Sequence, residues 1–96
     1  MLKLKPICEN CGKNLPNEST EAMICTFECT FCEACVNNIL HNVCPNCGGG
    51  FVKRPHRPKE KLQKYPAGTI PYLSPVNLLA FEPLLAKYKD IEPNER

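Results

Sequence analysis

The chain contains no tryptophan, only three tyrosines and four phenylalanines, and no apolar run longer than a few residues. Without long runs there is no candidate transmembrane helix, which needs about 20 consecutive apolar residues. The opening MLKLKPICEN has neither an apolar stretch of signal-peptide length nor a small-residue cleavage site, so the expectation is a cytoplasmic chain that does not act at a membrane. Candidate core residues are also scarce: Leu15, Ile24, Phe27, Phe31, Val36, Ile39, Leu40, Val43 and Phe51. A core of this size does not hold so short a chain by burial alone, and such domains need a disulfide or a metal. Nor is there a catalytic constellation. Ser19, Ser74, His41 and His56 fit no triad that spacing can show, and Glu9, Glu28 and Glu33 read as solvated residues rather than an acid/base pair.

Cysteine fills the gap. All eight cysteines lie within residues 8–47, as Cys8-x2-Cys11, Cys25-x3-Cys29, Cys32-x2-Cys35 and Cys44-x2-Cys47. In a reducing cytosol this pattern reads as metal binding rather than as a disulfide framework. Two intervening residues let the chain turn back so that both sulfurs reach one ion at about 2.3 Å. Four pairs make two closed four-thiolate sites, for which structural zinc is the default and iron the other candidate. The predicted cofactors are two Zn²⁺, each adding about 10–16 kcal/mol of binding energy that appears as folding energy. Such sites leave no free thiol nucleophile and no open coordination position for hydrolysis.

The outer pairs share a frame. CENCGKNL at 8–15 and CPNCGGGF at 44–51 both read C-x-N-C-G-x-x-apolar. Asn10 and Asn46 suit a tight turn, and Gly12 and Gly48 suit a left-handed residue that aims backbone N–H groups at the thiolates. Spacing alone leaves three ways to share four pairs between two ions: interleaved, sequential or nested.

The ordered spacing C-x2-C-x13-C-x3-C-x2-C-x2-C-x8-C-x2-C resembles that of RING fingers, with cysteine where that family often has histidine. The resemblance implies an interleaved cross-brace, with one site from Cys8, Cys11, Cys32 and Cys35 and the other from Cys25, Cys29, Cys44 and Cys47. It does not extend to a ubiquitin-ligase surface. The first pair encloses Glu9 and Asn10 where those ligases carry an apolar residue, and Gly48 follows the last cysteine where they carry a basic one. A closer likeness runs through MLKLKPICENC, ICTFECTFCEACV, CPNCGG, RPHRP and EKLQKYPA, over about residues 1–69. These blocks resemble a family of small bacterial cysteine-rich proteins catalogued as a domain of unknown function, which implies a zinc-binding protein of about this size and names no substrate.

The secondary-structure pattern predicts a strand within Glu21–Phe27 paired with Thr30-Phe31, and a helix over Glu33–His41 that presents Val36, Ile39 and Leu40. The fold class is then a small α+β zinc-stabilised domain of RING-like or treble-clef cross-brace type over residues 1–52. A basic, proline-containing linker at 53–69 and an apolar, partly helical segment at 70–96 follow. Within the linker, KRPHRPKEKLQK carries six Lys/Arg against one Glu, and its prolines predict an extended chain. Lys53, Arg54, Arg57, Lys59, Lys61 and Lys64 are therefore candidate phosphate contacts for a nucleic acid, against the alternative that the linker folds back on the head. No aromatics interleave with them, and Tyr65 stands at the edge. Further on, Ser74-Pro75 predicts a helix start, and Pro83 predicts two pieces, 75–82 and 83–89. Leu78, Leu79, Phe81, Leu84 and Leu85 either cover the zinc domain or dock a partner.

Charge divides the same way. Residues 1–47 carry a net −2 and residues 48–96 a net +4. Eight thiolates subtract eight charges and two Zn²⁺ return four, which takes the chain from +2 to −2. The functional expectation is a non-catalytic zinc-binding interaction module with a protein partner. The alternatives are a nucleic-acid-binding finger using residues 53–64, a RING-type scaffold, and a zinc-handling or redox protein.

Overall fold

The computed structural model describes all 96 residues. Strand β1 (Ala22–Ile24) pairs antiparallel with β2 (Thr30–Cys32) on one side and with β3 (Val52–Lys53) on the other. Met23 faces Phe31 in the first ladder and Lys53 in the second. β1 is shorter than the predicted strand because the chain leaves the ladder at Cys25. The Glu28 N–H donates to the Cys25 carbonyl at 2.9 Å, and Glu28 takes a left-handed φ of 61° to close the turn. β3 gave no sequence signal, since both of its residues face solvent.

After β2 the chain enters α1 (Glu33–Cys35), which continues as a π-helical stretch over Val36–Leu40. The predicted nine-residue helix is thus a short α turn followed by a wider winding. Cys35, Val36 and Leu40 all point inward, and left-handed His41 and Asn42 end the element. Leu15, Phe31, Val36, Leu40, Val43 and Phe51 are buried as expected, with Phe31 and Phe51 edge-to-face at 5.6 Å. Ile24 and Ile39 are half-buried, and Phe27, expected inside, is 68% exposed on the Cys25–Cys29 turn.

The linker is not extended throughout: α2 (Lys59–Leu62) forms directly after Pro58. The tail forms one helix, α3 (Leu78–Tyr88), rather than two pieces, and its N-cap is Asn77 rather than Ser74. The Asn77 side chain accepts from the Ala80 N–H at 3.2 Å. Pro83 lies inside α3. The helix survives this because Phe81 is buried in the core cluster and Leu84, Leu85 and Tyr88 pack against it, and most helical stability in proteins comes from such packing.

Two buried charged side chains tie the head together. The Glu9 carboxylate, expected in solvent, is 3% exposed and accepts from the Thr30 N–H at 2.5 Å and the Lys5 ammonium at 3.1 Å. Arg54 is 2% exposed and donates to the carbonyls of Lys5, Leu15 and Pro16 at 2.8–3.0 Å. Burial pulls its pKa below the ordinary guanidinium value, yet it stays charged at neutral pH.

Replacing Arg54 with methionine strands three carbonyls and should cost about 2–4 kcal/mol in a denaturant titration of the metal-loaded protein. A loss under about 1 kcal/mol would mean that water satisfies those carbonyls. Phe81→Ala should cost about 3–5 kcal/mol and open the tail to limited proteolysis. Leu79→Ala, on a side chain 83% exposed, should change stability by less than about 0.5 kcal/mol.

Candidate metal centres

The first and last cysteine pairs fold as copies of one another. In the first, the Gly12 N–H donates to the Cys8 carbonyl and the Cys8 N–H to the Lys13 carbonyl; in the last, Gly48 donates to Cys44 and Cys44 to Gly49. Gly12 and Gly48 take φ of 78° and 76°, the left-handed conformation expected of them. Their own N–H groups go to carbonyls, however, and it is the next residue that serves the sulfur. The Gly49 N–H lies 3.4 Å from Cys47 Sγ, and the Lys13 backbone serves Cys11 in the same way.

The interleaved arrangement is the one the structure brings together. Cys8, Cys11, Cys32 and Cys35 place four sulfurs within 4.8 Å of one another, and Cys25, Cys44 and Cys47 do the same with three. Sulfur separations are 3.9 Å for Cys8–Cys35, 3.6 Å for Cys11–Cys32 and 3.5 Å for Cys25–Cys44. Disulfide bonding needs about 2.05 Å, whereas a tetrahedral ion with metal–sulfur bonds of about 2.3 Å sets sulfurs about 3.8 Å apart. The first cluster therefore fits a four-coordinate metal, and the second brings together three of the four donors such an ion needs. Neither His41 nor His56 enters either group.

Cys29 stands slightly apart. Its sulfur falls outside the mutual set of the second group and accepts from Asn46 Nδ2 at 3.2 Å. The equivalent asparagine of the first pair, Asn10, donates from Nδ2 to Cys35 Sγ at 3.4 Å. Each asparagine thus reaches from its own pair to a cysteine of the pair that faces it. The sequence alone suits both asparagines to turns; the repeated C-x-N-C-G frame is the signal for their second role at the sulfurs.

Burial and hydrogen bonding divide the thiols of each group. Burial raises Cys35, Cys32 and Cys44 above the ordinary thiol pKa and pushes Cys25 up to about 11. The outer members go the other way. At Cys11 burial is outweighed by the Lys13 backbone and the neighbouring sulfurs; at Cys47 it is outweighed by the Thr26 hydroxyl and the Gly49 N–H.

The basic and apolar candidates are placed as follows. Lys53 donates to the Thr20 carbonyl at 2.7 Å and to Glu33 at 2.5 Å, Arg54 is buried as described, and Arg57 bonds the carbonyls of Leu2 and Tyr65. Lys59, Lys61 and Lys64 are exposed. Of the apolar set, Leu78 and Leu79 face solvent, Phe81 is buried, and Leu84 and Leu85 rest on the core. No helix is long and apolar enough to cross a membrane.

Metal binding to thiols that hold their protons must release them. Titrating metal-free protein with Zn²⁺ at pH 7 in a pH-stat should release roughly one proton for each cysteine that becomes a ligand. Affinity should fall as pH falls, because protons then compete for the same sulfurs. Release of fewer than about four protons in total would mean that thiols are not the main ligands.

An uncharacterized protein, R02474, from Rhizobium meliloti (strain 1021) is 56% identical over 75 residues, which cover 78% of this chain and 89% of the relative. No solved structure matches the chain. Residues 1–57, which include all eight cysteines, match the family described as protein of unknown function (DUF1272), and the chain belongs to that family.

Proposed function

We propose that the protein is a zinc-stabilised, non-catalytic interaction module of the cytoplasm, built as a RING-like cross-brace and acting through contacts with a protein partner. Cys8, Cys11, Cys32 and Cys35 hold one Zn²⁺, and Cys25, Cys29, Cys44 and Cys47 hold the second. The observation that carries this reading is the interleaving of two sulfur clusters at tetrahedral spacing. Cys29 is included because Asn46 stands to it as Asn10 stands to Cys35, an undoubted member of the other cluster. The Cys29 side chain also interacts with that of Cys25, a member of the second cluster.

Four-thiolate sites have no vacant position for a substrate, so what remains to act is the surface. The nucleic-acid reading of residues 53–64 loses support, since Arg54 and Arg57 bind carbonyls of the fold and Lys53 pairs with Glu33. Zinc handling fits poorly with sites in which six of the eight sulfur-bearing residues are buried.

Native mass spectrometry should show two zinc ions on the intact chain, and the loaded protein should lack the visible absorption of iron–thiolate sites. Cys29→Ser should retain one tightly held ion, in the first site, and Asn46→Ala should speed chelator removal from the second site by about tenfold. One ion on the wild type, or two undiminished in Cys29→Ser, would refute the ligand assignment.

A further inference from the structure

Residues 1–6, Arg57, residues 64–70 and Tyr72 line a groove of about 950 Å³ that lies outside the cysteine clusters. Two contacts tie its walls together. The Arg57 guanidinium donates to the carbonyls of Leu2 at 2.6 Å and Tyr65 at 2.8 Å, and the Gly68 N–H donates to the Leu4 carbonyl at 2.9 Å. The lining includes four cationic side chains and no acidic one. Arg57 is engaged within the groove and Lys5 pairs with Glu9, whereas Lys3 and Lys64 have no carboxylate partner. Among them stand large apolar side chains left in water: Ile70 is 85% exposed and Tyr72 56% exposed.

We propose that this groove binds an acidic peptide segment of a partner protein, with apolar side chains seated between the walls and carboxylates on Lys3 and Lys64. The proposal names the partner chemistry of the interaction module above and rests on that reading. Unpaired cations of a single sign select a ligand of opposite sign. The apolar lining, including Leu2 and Ile70, selects a ligand with greasy side chains, because aliphatic groups neither stack on bases nor bond phosphates. A nucleic-acid strand is disfavoured on two further counts. Each tyrosine ring already has a lysine over it, Lys5 on Tyr72 and Lys64 on Tyr65, both at 5.6 Å. With two Zn²⁺ on eight thiolates the chain carries a formal −2, which repels a polyanion more than a peptide with a few carboxylates.

The test is selection of a random dodecapeptide phage library on the immobilised, metal-loaded full chain, followed by fluorescence anisotropy with the enriched peptides. Enriched sequences should combine Asp or Glu with Leu, Ile or Phe. Their affinity should fall about tenfold or more in Lys3→Glu/Lys64→Glu and in Ile70→Asp, and should weaken as salt shortens the screening length. These side chains are exposed, so the variants should keep the wild-type denaturation midpoint. No enrichment, winners without carboxylates, winners indifferent to the charge reversal, or equal competition by a twelve-nucleotide oligo(dT) would each overturn the proposal. Bound metal measured on the same preparations separates the two readings. Two ions with failed selection removes the groove, and peptide binding without metal removes the zinc module and leaves the groove.

Discussion

Sulfurs packed 3.5–3.9 Å apart cannot all carry charge unless a cation lies among them. At about 4 Å and an effective dielectric near 20, each thiolate pair repels by roughly 4 kcal/mol, and a four-sulfur site contains six such pairs. Without a metal the burial of Cys35 and Cys44 keeps their protons on. With one, all four sulfurs ionise and turn repulsion into coordination. In the proposed metal-loaded form the rest of the chain depends on this exchange, because the interleaved clusters set the β1–β2 turn against the last cysteine pair and the first pair against α1. The scarce apolar residues then need only fill the space between.

The C-terminal segment extends the same frame. The Ser74 N–H donates to the Glu9 carbonyl at 2.7 Å and the Val76 N–H to Asn10 Oδ1 at 2.9 Å, both inside the first cysteine pair. At the other end of the tail, the Arg96 guanidinium donates to the carbonyls of Asn42 and Gly48. Gly48 also lies close beneath Tyr88, where an added Cβ would sit 2.8 Å from the ring, so glycine is required there by both its φ and its neighbour. One segment outside the cysteine region thus braces the two repeated knuckles, with Phe81 in the shared core between its ends.

How much of this the sequence disclosed follows from the range of each interaction. The cysteine pairs, their glycines and the β1–β2 hairpin are local patterns, and they were legible. The gathering of the pairs into sites needed a family resemblance, because spacing left three solutions open. Glu9 and Arg54 were misread, since a buried charge with carbonyl or amide partners looks in sequence like a solvated one. What separates them is a contact 21 or 39 residues away. β3 left no trace because its residues bury nothing, and its pairing depends on where Gly48–Phe51 delivers the chain. Pro83 argued for a break, and the break failed to appear because the local penalty, about 3 kcal/mol, is set against burial of an aromatic and packing of three more side chains. The groove was invisible for the same reason as β3: its walls are more than 55 residues apart in the chain.

Charge connects the two halves. A divalent ion on four thiolates leaves a site at −2, and such a site is stable in a small domain only where donors and cations surround it. Asn10, Asn46, the Thr26 hydroxyl and the backbone N–H groups of Phe27, Asn46 and Gly49 supply the donors. Lys13, raised chiefly by its bond to Glu21 and also by the field of Cys32 and Cys11, supplies nearby positive charge, as does Arg96 from the tail. The excess of Lys and Arg after residue 47 is thus divided between two tasks. Arg54, Arg57 and Arg96 hold carbonyls of the head in place, while lysines such as Lys64 and Lys59 remain in water. Arginine takes the internal role because its fork satisfies several carbonyls at once and keeps its charge when buried. Lysine is left at the surface, where a hydrated point charge is available to a ligand that comes and goes.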